Sequence, residues 1–198
     1  MRAILFTILI LALTSTVAFA GGNEEDAVAE LTKIGAKFEY SADKRVVKVD
    51  LSNSAVKDGD LRHLVPLKKL EALDLRITKV GDGGTQYLAF LKNLKFLNMF
   101  RTGLSDAGLA RLKNLDKLET LLIGNTQVTD AGLETVSRFS KLKKMSLFQT
   151  AVTDAGLKNL EKLTALEVLV IGGSKISEEG AKSIQRALPN LKFTETTT

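Results

Sequence analysis

The sequence predicts an α/β solenoid, a horseshoe with a parallel β-sheet on its concave face and helices on its convex face. Three observations predict it. The chain of 198 residues repeats itself every 24 residues from Val46, Leu70, Leu94, Leu118 and Leu142, with a sixth copy of 25 residues from Leu166 to Asn190. Within each copy, apolar residues at positions 1, 4 and 6 give way to apolar residues at 16, 19 and 22, so strand-like spacing turns into helical spacing at a fixed place. Between the two lie Thr or Ser at position 9, a branched aliphatic residue at 11, an acid at 13 and usually Gly at 15. A fixed period of this size signals a stack of identical units sharing one continuous core. Strands stack about 4.8 Å apart but helices need about 8–10 Å. The stack must therefore curve with its strands inside.

Taken in order, residues 1–20 read as a signal peptide: Arg2, an apolar run from Ala3 to Leu13, and Ala18-Phe19-Ala20 before Gly21, an A-x-A cleavage site. The apolar run is too short to span a bilayer comfortably. The mature chain is thus expected to be exported, to a periplasm or the medium, and with no cysteine it has no lipid-anchor site after the cleavage point. Residues 21–45 read as an N-terminal cap. Asn23 is a good N-cap and Glu24, Glu25 and Asp26 favour a first helical turn. Val28, Leu31 and Ile34 follow at helical spacing, and Gly35 stops the helix. Lys37 to Tyr40 and Arg45 to Leu51 then read as two strands of a hairpin. Residues 46–190 are the six repeats, in which Thr129 exemplifies a helix N-cap with Asp130 just inside. Residues 191–198 form a terminal strand and polar tail. The sixth copy departs from the pattern at Glu179 and Ala181, so it is either an altered cap or leaves a strand edge open to another chain.

The run Thr150-Ala-Val152-Thr-Asp-Ala-Gly-Leu157, repeated in register along the chain, resembles the leucine-rich repeat family. It is similar to the cysteine-containing and ribonuclease-inhibitor-like branches, and most to exported bacterial members with Thr at position 9. The resemblance covers residues 46–190 and implies a concave sheet that binds other proteins. It names no partner, because a fold carries no function by itself.

The composition excludes several classes. No cysteine means no disulfide, thiolate metal site or cysteine nucleophile. A net charge of +5 is spread along the chain, so neither nucleic acid nor a membrane span is expected. The hydroxyl column Ser54, Thr78, Thr102, Thr126, Thr150 and Ser174 offers nucleophiles without a base, since His63 is the single histidine and is expected to be exposed on a convex helix. Its expected task is to satisfy turn backbone between neighbouring copies. The acid column Asp58, Asp82, Asp106, Asp130, Asp154 and Glu178 heads successive helices too far apart to share a calcium ion. Its expected task is to favour helix N-termini. Gly81-Asp82-Gly83-Gly84 lacks the Lys-Ser/Thr of a phosphate loop. We therefore expect no catalytic residue, no metal and no cofactor.

Positions 3, 5 and 7 face out of the concave sheet and need not be apolar for folding. They are polar in the first two copies, but from the third onward Phe96, Phe100, Leu122, Phe148, Val168 and Val170 form an expected apolar surface, with Asn98 among them and Arg76 and Arg101 at its edge. Such patches mark contact sites, and aromatic and Arg residues commonly anchor them. The expected function is a non-catalytic module that binds a protein or peptide there. Two alternatives stand beside it. One is a self-associating structural component of the cell envelope. The other is a glycan-binding or glycan-hydrolysing protein using Asp50 and Asp74, which adjacent strands bring to near the carboxyl separation of retaining glycosidases.

Overall fold

In the computed structural model, which describes residues 23–195, the local signals at the amino end appear as capping geometry. Helix α1 (Glu24–Lys33) starts where the Asn23 side chain accepts the Asp26 amide at 2.7 Å. It stops at Gly35, whose φ of 87° only glycine adopts freely. There the Ala36 amide reaches back to the Leu31 carbonyl and the Gly35 amide to Thr32, closing the helix end. Ala27 and Leu31 turn inward onto the first repeat. Strands β1 (Lys37–Tyr40) and β2 (Val46–Asp50) pair antiparallel, and the Glu24 carboxylate accepts from Arg45 Nε and the Val46 amide, tying helix to hairpin.

From β2 onward the sheet is parallel and keeps sequence order through β3 (Ala72–Asp74), β4 (Phe96–Asn98), β5 (Thr120–Leu122), β6 (Lys144–Ser146), β7 (Val168–Val170) and β8 (Lys192–Thr194). Each strand pairs in register with the residue one repeat on, as Leu73 with Leu97 and Leu97 with Leu121. The central residues Val49, Leu73, Leu97, Leu121, Met145 and Leu169 are fully buried, so the phase of the two faces is the expected one. Fully burying one such side chain contributes roughly 1.5–3 kcal/mol, and the core runs unbroken from Ala27 to Leu191. The sixth copy's extra residue is absorbed before β8, because Val168 still pairs with Lys192.

The convex side is made of short pieces. A 3-10 helix at Asp58–Leu64 is followed by α2 (Asp82–Leu88), α3 (Asp106–Arg111), α4 (Asp130–Val136), α5 (Asp154–Leu157) and the longer α6 (Glu178–Ala187). A 3-10 turn at Lys158–Leu160 continues α5, and chain turns fill the rest of each copy, with Lys68, Lys92, Lys117 and Lys141 standing in them. His63 is half-buried, not exposed, beside Asp26 and Glu30 of α1.

The two polar columns are hydrogen-bonded differently from expectation. Each position-9 hydroxyl donates within its own copy, to the carbonyl three residues back: Thr78 to Leu75, Thr102 to Met99, Thr126 to Ile123, all within 2.6–2.8 Å. Coupling between copies comes instead from the acids. Asp106 accepts from the Thr129 amide at 2.8 Å and the Thr129 hydroxyl at 2.7 Å, and Asp130 does the same for Thr153. Asp82 and Asp154 likewise hold Ser105 and Ser177. Each carboxylate thus stands at its own helix start and clips the N-cap of the next. A side chain at Gly108, Gly132, Gly156 or Gly180 would collide with the preceding copy's carboxylate, which accounts for Gly at position 15.

Candidate functional site

The face of the sheet opposite the core is built from positions 3, 5, 7 and 8 of each copy. Position 8 turns the chain away from the strand with a positive φ: 56° at Asn53, 55° at Ile77, 54° at Arg101, 52° at Asn125, 52° at Gln149 and 68° at Gly173. Asn and Gly tolerate this conformation. Ile77 does not, because a β-branched side chain in the left-handed region costs on the order of 1–3 kcal/mol. Its side chain is nevertheless 40% exposed, so burial does not offset the strain.

Position 5 carries a short turn-capping device. Asp50 accepts the Ser52 amide, Asp74 the Arg76 amide and Asn98 the Phe100 amide, at 2.8–3.0 Å. Asp74 also accepts from the Asn98 side chain at 3.3 Å and lies 3.5 Å from Arg76 Nε. Burial pushes the Asp50 carboxyl up, but hydrogen bonds from the Ser52 hydroxyl and amide, with Lys37 and Arg76 nearby, hold it below the ordinary value. A general acid for glycan hydrolysis needs the reverse shift, and both carboxylates are already occupied by backbone.

Of the expected surface residues, Phe96, Phe100, Leu122, Phe148 and Val168 are half-buried, and Arg76 and Arg101 are exposed. Two differ from expectation. Val170 is only 1% exposed, buried where β7 meets β8, and Asn98 is 4% exposed because its amide is used to cap the strand end. The structure brings Phe100 and Phe148 together across an intervening copy, with ring centroids 6.3 Å apart and planes tilted by 38°. Gly124 makes this contact possible: a Cβ there would stand 2.9 Å from the Phe148 carbonyl oxygen and 3.1 Å from Phe100 Cδ2. Beside the pair lies a hollow of about 450 Å³ whose wall includes Arg76, Ile77, Phe100, Leu122 and Lys144. Ile77 and Lys144 were not among the residues singled out by the pattern. The legible signal for Ile77 was its β-branch, since none of Asn53, Arg101, Asn125, Gln149 and Gly173 at that position is β-branched.

Among the described residues no helix is long and apolar enough to cross a membrane, and no cluster of His, Asp and Glu has the arrangement of a metal site. The signal-peptide reading of residues 1–20 lies outside the described residues.

No protein-family model matches the chain, and no curated protein sequence does either. Its backbone is similar to several solved structures. An internalin C2 from Listeria monocytogenes is 19% identical with a TM-score of 0.60, covering 90% of this chain and 89% of that one. An internalin (inlF) from the same species is 18% identical with a TM-score of 0.58, over 86% of this chain and 54% of that one. The PEPR1–AtPEP1 structure is 16% identical with a TM-score of 0.51, over 79% of this chain and 25% of that one. The chain therefore spans about half of the second protein and a quarter of the third. At these identities the likeness is one of fold. The chain has the leucine-rich repeat solenoid fold, with its parallel sheet on one face and its helices on the other.

Proposed function

We propose that the chain is an exported, non-catalytic module that binds a protein or peptide on its concave face. The observation that carries this reading is the Phe100–Phe148 pair, two aromatic rings held over Gly124 on the side of the sheet that folding does not require to be apolar. Phe96, Leu122 and Val168 extend the apolar area, and Arg76 and Arg101 stand exposed at its rim. Such a composition, aromatic at the centre and Arg at the edge, is typical of binding hot spots. One of the similar structures is of PEPR1 with AtPEP1, in keeping with a binding role for the fold. Export rests on Arg2, the apolar run Ala3–Leu13 and the Ala18-Phe19-Ala20 site. N-terminal sequencing after secretion should read from Gly21.

The experiment compares the mature chain with its Phe100→Asp/Phe148→Asp variant as baits in envelope extracts of the source cells. Each ring is half-buried already, so completing its burial in a complex contributes about 1 kcal/mol. Losing both lowers affinity at least about tenfold. A protein retained by the first bait and lost from the second, with the melting of the two baits similar, supports the reading. Equal capture by both, or a variant that no longer folds, sinks it.

A further inference from the structure

The hollow beside the ring pair has a charge pattern that the apolar patch alone does not explain. On the concave positions of copies two to five, Arg76, Arg101 and Lys144 face a single carboxylate, Asp74. Asp74 holds the Arg76 amide and the Asn98 side chain and lies 3.5 Å from Arg76 Nε, so one carboxylate serves Arg76 in part and leaves Arg101 and Lys144 without a partner. Among the described residues, Lys144 and Arg101 form no ion pair, whereas elsewhere lysines on this chain do, as Lys95 with Glu71 and Lys143 with Glu119. Lys144 is half-buried in the wall of the hollow, next to Leu122 and Phe100, and Arg76 and Ile77 stand in the wall on the other side. An apolar floor thus lies between two cationic ends.

Resting on the concave-face reading above, we propose that the partner segment is an extended acidic peptide: carboxylate side chains on either side of one or two bulky apolar residues. The apolar residues fill the floor formed by Phe100, Leu122 and Ile77, and the carboxylates meet Arg76 and Lys144. The span from β3 to β6 is three strand spacings, about 14 Å. Four or five extended residues cover it. A strained, exposed Ile77 fits this assignment, because Asn at position 8 would relax the backbone but remove the apolar wall. Backbone strain retained where a side chain meets a ligand is a recognised pattern. Lys144, a cation without a carboxylate, and Arg76, which shares its single carboxylate with the turn backbone, also favour capture of an anionic chain through long-range attraction.

The test is selection of a phage-displayed library of random nine-residue peptides on the mature chain, followed by fluorescence anisotropy with the enriched peptides made synthetically. The expected enriched set carries Asp or Glu on both sides of Leu, Ile or Phe. Its affinity should fall at least tenfold on Lys144→Glu, weaken as salt is raised from about 50 to about 300 mM, over which the Debye length shortens by roughly a factor of two, and fall several-fold on Ile77→Asn. That last variant should melt higher than the parent, so lost binding there cannot be misfolding. Enriched peptides that are neutral or basic, or acidic ones indifferent to Lys144→Glu, overturn the inference. If such peptides are lost on Phe100→Asp/Phe148→Asp, the concave-face reading survives alone. Enriched peptides that bind that double variant undiminished sink both, and no enrichment at all overturns the acidic-peptide proposal.

Discussion

Replacing Gly81 by Ser should stabilise the protein, because it completes the one rung of the inter-repeat ladder that is missing an atom. In the copies that follow, a carboxylate accepts from both the amide and the hydroxyl of the next N-cap residue, as Asp106 does from Thr129. Asp58 accepts only the Gly81 amide, at 2.7 Å, since glycine has no hydroxyl to offer. The backbone at Gly81, φ −133° and ψ −154°, is extended and open to any residue. A Cβ there would lie 3.9 Å from Asp58 Oδ2, within reach of a hydroxyl, and 3.3 Å from the Gly103 carbonyl oxygen, which is tight but not a collision. Three contributions add. A hydrogen bond to this half-exposed carboxylate gives about 1 kcal/mol. Loss of glycine's freedom in the unfolded chain gives about 0.4–1 kcal/mol. A better N-cap adds a few tenths of a kcal/mol. Less a few tenths for the tight contact, the net is about 1.5 kcal/mol, which for a chain of this length raises Tm by roughly 3–6 °C. Calorimetry reads the shift directly. In an Asp58→Ala background the gain should shrink to the unfolded-state and capping parts, a coupling of about 1 kcal/mol. An unchanged or lower Tm, or a gain indifferent to Asp58, would refute the account of the ladder.

The converse holds where the ladder is complete. Asp130→Ala removes the acceptor of the Thr153 amide and hydroxyl, and should cost about 2–3 kcal/mol in urea denaturation with an unchanged m-value. Gly132→Ala drives a methyl group into the Asp106 carboxylate and should cost at least about 2 kcal/mol, a loss that Asp106→Gly in the same chain partly recovers. Hydrogen bonds from the Ser177 hydroxyl and then its amide hold the Asp154 carboxyl below its ordinary value. A depressed acid stabilises the fold above its unfolded pKa, and that stability is lost as pH falls below about 4 through the folded value. NMR titration of Asp154 should therefore give a midpoint below that of a free Asp, moving up on Ser177→Ala. Ile77→Asn should raise stability by about 1 kcal/mol in the same denaturation assay, since Asn accepts the 55° φ that Ile resists.

How much of this was legible depends on whether a residue acts through its own copy or through its neighbours. The strand and helix starts were legible because position and residue type decide them locally: Asn23 and Thr129 cap where their side chains can reach an amide two or three residues on. The register was legible because six buried residues at position 4 leave no other phase. The clip between Asp106 and Thr129 was not, although both residues stood in plain columns. It links atoms 23 positions apart, and a column of acids at helix starts is already accounted for by the helix dipole. The glycine at position 15 held the missing information, since the shortest clash of a side chain at Gly108, Gly132, Gly156 or Gly180 would be with the preceding copy's carboxylate and not with its own turn.

The concave face shows the same division with a functional consequence. That Phe96, Phe100, Leu122 and Phe148 share one face followed from the period alone. That two of them touch across a whole copy did not, because it depends on the absence of a side chain at Gly124. Val170 failed as a surface residue although its place in the sheet matches that of Leu122: each has the next strand paired beside it, Val170 with Thr194 and Leu122 with Ser146, yet Val170 is buried and Leu122 is half-buried, a difference that the period does not carry. A periodic sequence thus specifies what every copy shares. The proposed binding surface draws on what the copies do not share, at Ile77, the one β-branched residue at position 8, and at Lys144 without a carboxylate. Substitution at those two positions should therefore alter binding while leaving the periodic core, and with it the fold, in place.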